Sequence, residues 1–205
     1  MEHGTDLREK RREEIIRAAI NVFYKNGYEQ AKMEAIAAEA GIGKATIYEY
    51  FSSKKQLFEE MIGFNLDKYK EDTRRIIKRE GTFSERFHAL CLYHADFLSQ
   101  HLDILQFSIQ QRTVLSNSMK NRLLDGRREV FEMLREMLEE AISNREIRNN
   151  IDLEAAVMCI MGVIAQLVGK RIFVDKADAG DLDPEPLLDI LMHGLVEKNV
   201  GNCAS

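Results

Sequence analysis

Apolar residues in this chain recur almost throughout at helical spacing, and the pattern is sharpest over residues 33–51. Met33, Ile36, Ala37 and Ala40 fall at i, i+3, i+4 and i+7, so one narrow face of a short helix can bury itself. Gly41-Ile42-Gly43 interrupts that face. A second short element, Lys44 to Tyr50, then places Ile47 and Phe51 one turn apart. Gly41 is suited to a left-handed helix C-terminus and Ile42 to plugging the corner, so the stretch predicts a helix-turn-helix. Upstream, Ile15, Ile16, Ala19, Ile20, Phe23 and Tyr24 mark a helix from about Asp6 to Asn26 that stops at Gly27.

Downstream, the chain's own punctuation predicts the remaining helices. Ser53 with Gln56 forms a capping box that opens a helix to about Arg79, ending at Gly81, and Thr82 with Glu85 opens the next, to about Gln100. A segment near Leu102–Leu115 follows, then a long helix from about Ser118 to Asn144. Asp152 caps an apolar helix to about Val174, and Asp183-Pro184 starts a last one to about Asn199. The expectation is an all-α protein of about nine helices, with no β alternation. Residues 1–52 form a three-helix head, and residues 53–205 form a helical effector-binding and dimerisation domain.

The residue types left outward on the second short helix suit DNA. Lys44 can reach a base acceptor or a phosphate, the hydroxyls of Thr46, Tyr48 and Tyr50 suit phosphate oxygens, and Ala45 permits close backbone approach. Lys54, at the start of the following helix, is expected on a phosphate. Glu49 fits a cytosine amino group or plain solvent. An ordinary helical corner with two half-buried tyrosines fits the same nineteen residues, and the flanks separate the two readings.

Those flanks run in a fixed order. A first helix with Lys10, Arg11, Arg12 and Arg17 ends in F-x-x-x-G-Y (Phe23 to Tyr28). There follow A-x-x-A-G-I-G-K-A-T-I-Y-x-Y-F (Ala37 to Phe51) and S-K-K-x-L-F (Ser53 to Phe58). Over roughly residues 8–60 this resembles the N-terminal domain of the TetR family of bacterial transcriptional repressors. Further on, only length and the all-helical pattern resemble the family. Gly43 stands where the family often has serine, and Lys32 where a threonine or serine usually begins the second helix, so neither offers a hydroxyl to phosphate. The resemblance implies a homodimer on a palindromic double-stranded operator, with half-sites separated by whole turns of about 34–36 Å. It also implies release by a small effector that shifts the helix starting at Ser53.

Charge refines this picture. The net charge is −5, yet residues 1–56 hold ten Lys and Arg against nine Asp and Glu, and the remainder holds 19 against 25. Binding therefore depends on where the cations of the head sit, while the acidic body discourages non-specific wrapping. Three cysteines without regular spacing (Cys91, Cys159, Cys203) and a charged start fit a reduced cytoplasm. The most apolar run, Ala155 to Gly169, is too short for a membrane span.

Two further sites are expected in the body. The helix from Leu153 is apolar nearly all round, so Val157, Ile160, Met161, Ile164 and Val168, with Leu187, Leu191 and Leu195 of the last helix, are candidates for a two-fold interface. Phe64, Phe87, His88, Cys91, His94, Phe107, Gln110, Met133 and Met137 are candidates for a hydrophobic effector pocket, although each also fits plain core. His88, Cys91 and His94 sit at steps of three, which spreads the outer pair too widely for one ion, so no metal or cofactor is called for. No catalytic constellation is legible. The rival reading is a DNA-bound module whose body binds a partner protein instead of a metabolite, and an exposed apolar groove without a cavity would favour it.

Overall fold

The computed structural model of the chain describes residues 2–110, 115–170 and 183–194, with residues 2–6, 99, 101–110, 167 and 168 described by their backbone alone. Eight helices account for nearly all of the described residues: α1 (Glu2–Gln30), α2 (Met33–Glu39), α3 (Lys44–Tyr50), α4 (Lys54–Ile77), α5 (Phe83–Gln110), α6 (Asn117–Ser143), α7 (Leu153–Gly169) and α8 (Glu185–His193). No strand occurs among them.

The start signals read from the sequence are made by side chains. The Gln56 amide N–H donates to Ser53 Oγ (3.1 Å), while the Gln56 side chain reaches back to the N–H of Ser52 and not to that of Ser53. At α5 the Thr82 box is reciprocal, with Glu85 N–H on Thr82 Oγ1 and Thr82 N–H on the Glu85 carboxylate. Those hydrogen bonds hold the Glu85 carboxyl below its usual range. Asp152 accepts from the Ala155 N–H, and Asp183 from the Glu185 N–H just after Pro184.

One expectation is corrected. No break occurs near Leu102: α5 runs unbroken from Phe83 to Gln110, because no glycine or proline lies in that stretch, and the helix total falls to eight among the described residues. The first helix breaks at Gly27 as predicted, where φ 69, ψ 163 is non-helical, and a further turn within α1 continues to Gln30. The last helix, α8, is described to His193, with Gly194 at φ 81, and residues 195–199 of its expected span lie outside the described residues.

The chain forms two compact units, the first from Met1–Asp72 and Gln100–Val130, the second from Thr73–Ser99 and Phe131–Ser205. In the first, a continuous apolar cluster joins Ile15, Phe23, Ile36, Ile47, Phe51 and Phe58, all at most 2% exposed, to Leu115 and Met119 near the start of α6. Two further contacts fix α4 against α6 there. The Glu59 carboxylate accepts from the N–H (2.6 Å) and hydroxyl (3.0 Å) of Ser116, whose Oγ in turn caps the Met119 N–H. At Gly126 a Cβ would come within 2.9 Å of the Leu66 methyl groups, so that side chain sits directly over the glycine and would have to shift for any larger residue. The core of the second unit gathers Phe83, Phe87, Leu90, Cys91, Met133, Leu134, Met137, Leu138, Val157, Ile160 and Ile164. Arg86, 1% exposed, lies in this unit, and its Nη1 donates to the Ile77 carbonyl (3.0 Å) and to Glu140 (2.9 Å).

Candidate nucleic-acid interface

The corner between α2 and α3 is a Schellman ending. Gly41 takes φ +65, its N–H donates to the Ala38 carbonyl (3.1 Å), and the Ile42 N–H reaches back to the Ala37 carbonyl (2.9 Å). The carbonyls orphaned at the end of α2 are thereby satisfied, and Ile42 packs on the head's core. Gly43 then takes the N-cap of α3 in an extended conformation, φ −71, ψ 153, with no side-chain cap. Ile47 and Phe51, both 0% exposed, anchor the helix from below.

What remains outward is the surface anticipated from the sequence. Lys44 and Ala45 are exposed, Tyr48 is 45% exposed, and Thr46 and Tyr50 are half-buried at the flanks. Lys32, also exposed, is the N-cap of α2 and makes no side-chain cap. The structure adds a partner for Lys44. Its ammonium lies 2.7 Å from Glu34, in the first turn of α2. That hydrogen bond and charge hold the Glu34 carboxyl below its usual range and raise the Lys44 ammonium. An acidic side chain thus sits beside the cation at the N-terminus of the reading helix. Its distance along the chain hid it from spacing arguments.

Two other cations face inward. Arg12, from α1, donates to the Tyr50 carbonyl at the end of α3 (3.3 Å), pairs with Glu60 of α4 and lies 4.6 Å over the Phe51 ring. Lys54, expected on a phosphate, points its ammonium at three backbone carbonyls of the segment after Gly27. Arg8 lies 5.8 Å over the ring of Tyr50.

The candidate effector residues are not all brought together. Phe87, Cys91, Met133 and Met137 are buried in the core of the second unit, but Phe64 packs against the head's core with the Arg17 guanidinium 5.4 Å over its ring. His88 sits on the surface of α5 with Nδ1 2.9 Å from Glu185, whereas burial pushes the Cys91 thiol up to about 12 and the His94 imidazole down to about 4. The side chains of Phe107 and Gln110 lie outside the described residues. Among the described residues no three His, Cys, Asp or Glu side chains are gathered around a common point that would suit a metal ion.

Of the candidate interface residues, Val157 (0% exposed), Ile160 and Ile164 turn into their own chain's core, and Met161, Leu187 and Leu191 are half-buried. The side chain of Val168 and the whole of Leu195 lie outside the described residues. The face of α7 left open carries Ala155, Met158, Cys159, Gly162 and Ala165, with Met158 56% exposed. An added Cβ at Gly162 would meet nothing within 4 Å.

A helix-turn-helix head carrying an exposed reading helix, joined to an all-helical body, defines a DNA-binding transcriptional regulator. Residues 15–61 match the family of bacterial regulatory proteins of the tetR type, and residues 80–168 match the tetracyclin repressor-like C-terminal domain. The "Fatty acid metabolism regulator protein" of Bacillus subtilis (strain 168) is 30% identical over 193 residues, which cover 90% of this chain and 95% of that protein. The chain belongs to the TetR family of bacterial transcriptional regulators. Among solved structures, the regulator FadR from Bacillus subtilis in complex with stearoyl-CoA superposes with a TM-score of 0.69 at 26% identity, covering 89% of this chain and 98% of that one. AibR in complex with isovaleryl coenzyme A and operator DNA shares the fold, with a TM-score of 0.60 at 15% identity over 89% of this chain and 98% of that one.

Proposed function

We propose that this protein is a repressor that binds a palindromic operator as a homodimer in the cytoplasm and is released from it by a long-chain fatty acyl-coenzyme A. The observation that carries the effector class is the reach of the similarity. The likeness to the fatty acid metabolism regulator covers 95% of that protein, body included, and not only the head that all such regulators share. A structure with 26% identity over 98% of its chain was obtained with stearoyl-CoA, which makes a long apolar tail with an anionic carrier the first ligand to test. The apolar supply of the second unit, with Phe87, Leu90, Met133 and Met137, suits such a tail.

The dimer reading rests on the open face of α7. Ala155, Cys159, Gly162 and Ala165 form a stripe of small side chains at helical spacing beside exposed Met158, and Ile190 of α8 is 41% exposed. Small residues allow two helices to approach closely, and a second copy offers the same stripe across a two-fold axis. On DNA, Lys44, Ala45, Thr46, Tyr48 and Tyr50 read and grip the groove, with Lys32 and the Gly43 backbone at the phosphate margin. Effector action follows population arithmetic: an acyl-CoA releases the operator only by binding the non-operator state more tightly.

The test is fluorescence anisotropy on an operator selected from random duplexes, titrated with stearoyl-CoA, isovaleryl-CoA, coenzyme A and stearate. Release by stearoyl-CoA alone supports the reading. No release by any of the four overturns the effector class, and selection of sequences without an inverted repeat overturns the operator class.

A further inference from the structure

We propose that Lys54 is a positioning residue of the DNA-binding head, setting the angle at which α2 and α3 are presented without itself neutralising a phosphate. A lysine at the first turn of α4, next to the end of the reading helix, looks like a phosphate contact by position. Its geometry says otherwise. The ammonium donates to the carbonyls of Tyr28 (2.8 Å), Glu29 (3.1 Å) and Ala31 (3.1 Å), and an ammonium has three hydrogens to give. The same nitrogen lies 4.5 Å from the centre of the Tyr28 ring, on its face. That ring is fixed from behind, stacked on Phe23 at 5.8 Å and tilted on Phe58 at 4.7 Å.

Side-chain packing holds this segment at the Tyr28 ring and at Ala31, 2% exposed in the head's core, and Lys54 adds hydrogen bonds to its backbone. Gly27 breaks the helical path at φ 69, and the chain must then redirect itself into α2 within residues 28–32. The N-cap of α2 is Lys32, extended and without a side-chain cap, so α2 is entered on the backbone bonds of Ala35 and Ile36 to the Lys32 carbonyl alone, with no side chain of the cap fixing the angle. The Lys54 ammonium supplies that constraint from across the fold, on carbonyls one to four residues ahead of the cap. Through the short Gly41–Gly43 corner, the pose of α2 is the pose of α3. The inference rests on the head binding DNA and not on the identity of any effector.

The test is Lys54→Met, which keeps the length of the stem and removes the charge and the three donors. Affinity for the selected operator and for an unrelated duplex is measured across a salt series without effector, at a temperature where a melting curve shows the variant folded. The expected result is a loss of about tenfold or more on the operator and less than about twofold on the unrelated duplex, with the slope of log K against log salt unchanged. A phosphate contact from each of two heads would instead lower that slope by about 1.8 and weaken both duplexes alike, which overturns the proposal. Unchanged operator affinity with a lower melting temperature also overturns it, since Lys54 would then serve stability alone. The unsubstituted protein provides the check if the variant does not fold. Its Lys54 ammonium protons, followed by NMR, are expected to exchange slowly and to keep their resonance when operator is added, and a shift on adding operator overturns the inference.

Discussion

Two glycines two residues apart make the helix-turn-helix corner testable with a matched pair of substitutions. Gly41 sits at φ +65, where an L side chain strains the backbone, although an added Cβ there meets no atom within 4 Å. The cost of Gly41→Ala is therefore purely conformational. A left-handed non-glycine residue costs about 1–2 kcal/mol, and the entropy that alanine removes from the unfolded chain returns about 0.4–1 kcal/mol, leaving a net loss near 1 kcal/mol. Gly43 sits at φ −71, ψ 153, open to any residue, and its added Cβ touches only Thr46 Oγ1 at an ordinary 3.8 Å. Gly43→Ser carries no strain, gains the same unfolded-state entropy and adds an N-cap hydroxyl worth a few tenths over glycine, so stability rises by about 0.5–1 kcal/mol. For a chain of this size each kcal/mol moves the melting temperature by about 2–4 °C, so the two variants should differ by roughly 3–8 °C at matched protein concentration. Gly43→Ser also adds a hydroxyl at the N-terminus of α3, and on the proposed DNA-binding role its operator affinity should not fall. A Gly41→Ala protein as stable as its parent would refute the Schellman assignment, and a destabilised Gly43→Ser would refute the N-cap geometry.

Other consequences are open to measurement. Glu34→Gln frees Lys44 from its 2.7 Å partner and removes a negative charge beside the reading helix, so binding to operator and non-operator duplex alike should tighten by about two- to tenfold at low salt; unchanged affinity would show that Glu34 does not compete with DNA. His94 is held neutral by burial, with a pKa near 4 against 6.5 when unfolded, so the folded state is fully favoured above pH 6.5 and loses stability as pH falls towards 4. About 2 kcal/mol should separate urea stability at pH 7 from that at pH 5 on this account, and His94→Leu should remove most of that difference. Gly162→Leu meets no obstacle in its own chain and gains about 0.8 kcal/mol of helix propensity, yet should weaken the dimer at least tenfold by sedimentation; an intact dimer would place the two-fold interface elsewhere.

Local features of this fold were legible in the sequence, and long-range ones were not. The corner at Gly41, the Thr82 and Ser53 boxes and the Asp152 cap each depend on residues within a few positions of one another, so spacing suffices to find them. Leu115 and Met119 joining the head's core, and Glu59 holding Ser116, depend on chain segments more than fifty residues apart and leave no local trace. The inward turn of Arg12 and Lys54 escaped for the same reason: a cation near a reading helix looks alike from sequence whether its acceptor is a phosphate or a carbonyl. In α7, apolar residues occur on every face, so the pattern carried no phase. Val157, Ile160 and Ile164 proved to be core, and the small residues Ala155, Gly162 and Ala165 mark the open side. The break expected near Leu102 came from reading a run of mixed polarity as punctuation, where only glycine or proline would have supplied it.

The central claim is that a fatty acyl-coenzyme A controls the grip of this dimer on DNA. It is tested most directly by titrating stearoyl-CoA into the protein bound to its selected operator and following anisotropy. The account predicts dissociation at close to one acyl-CoA per chain, with coenzyme A inert. Tight binding of stearoyl-CoA that leaves the operator complex intact would contradict it.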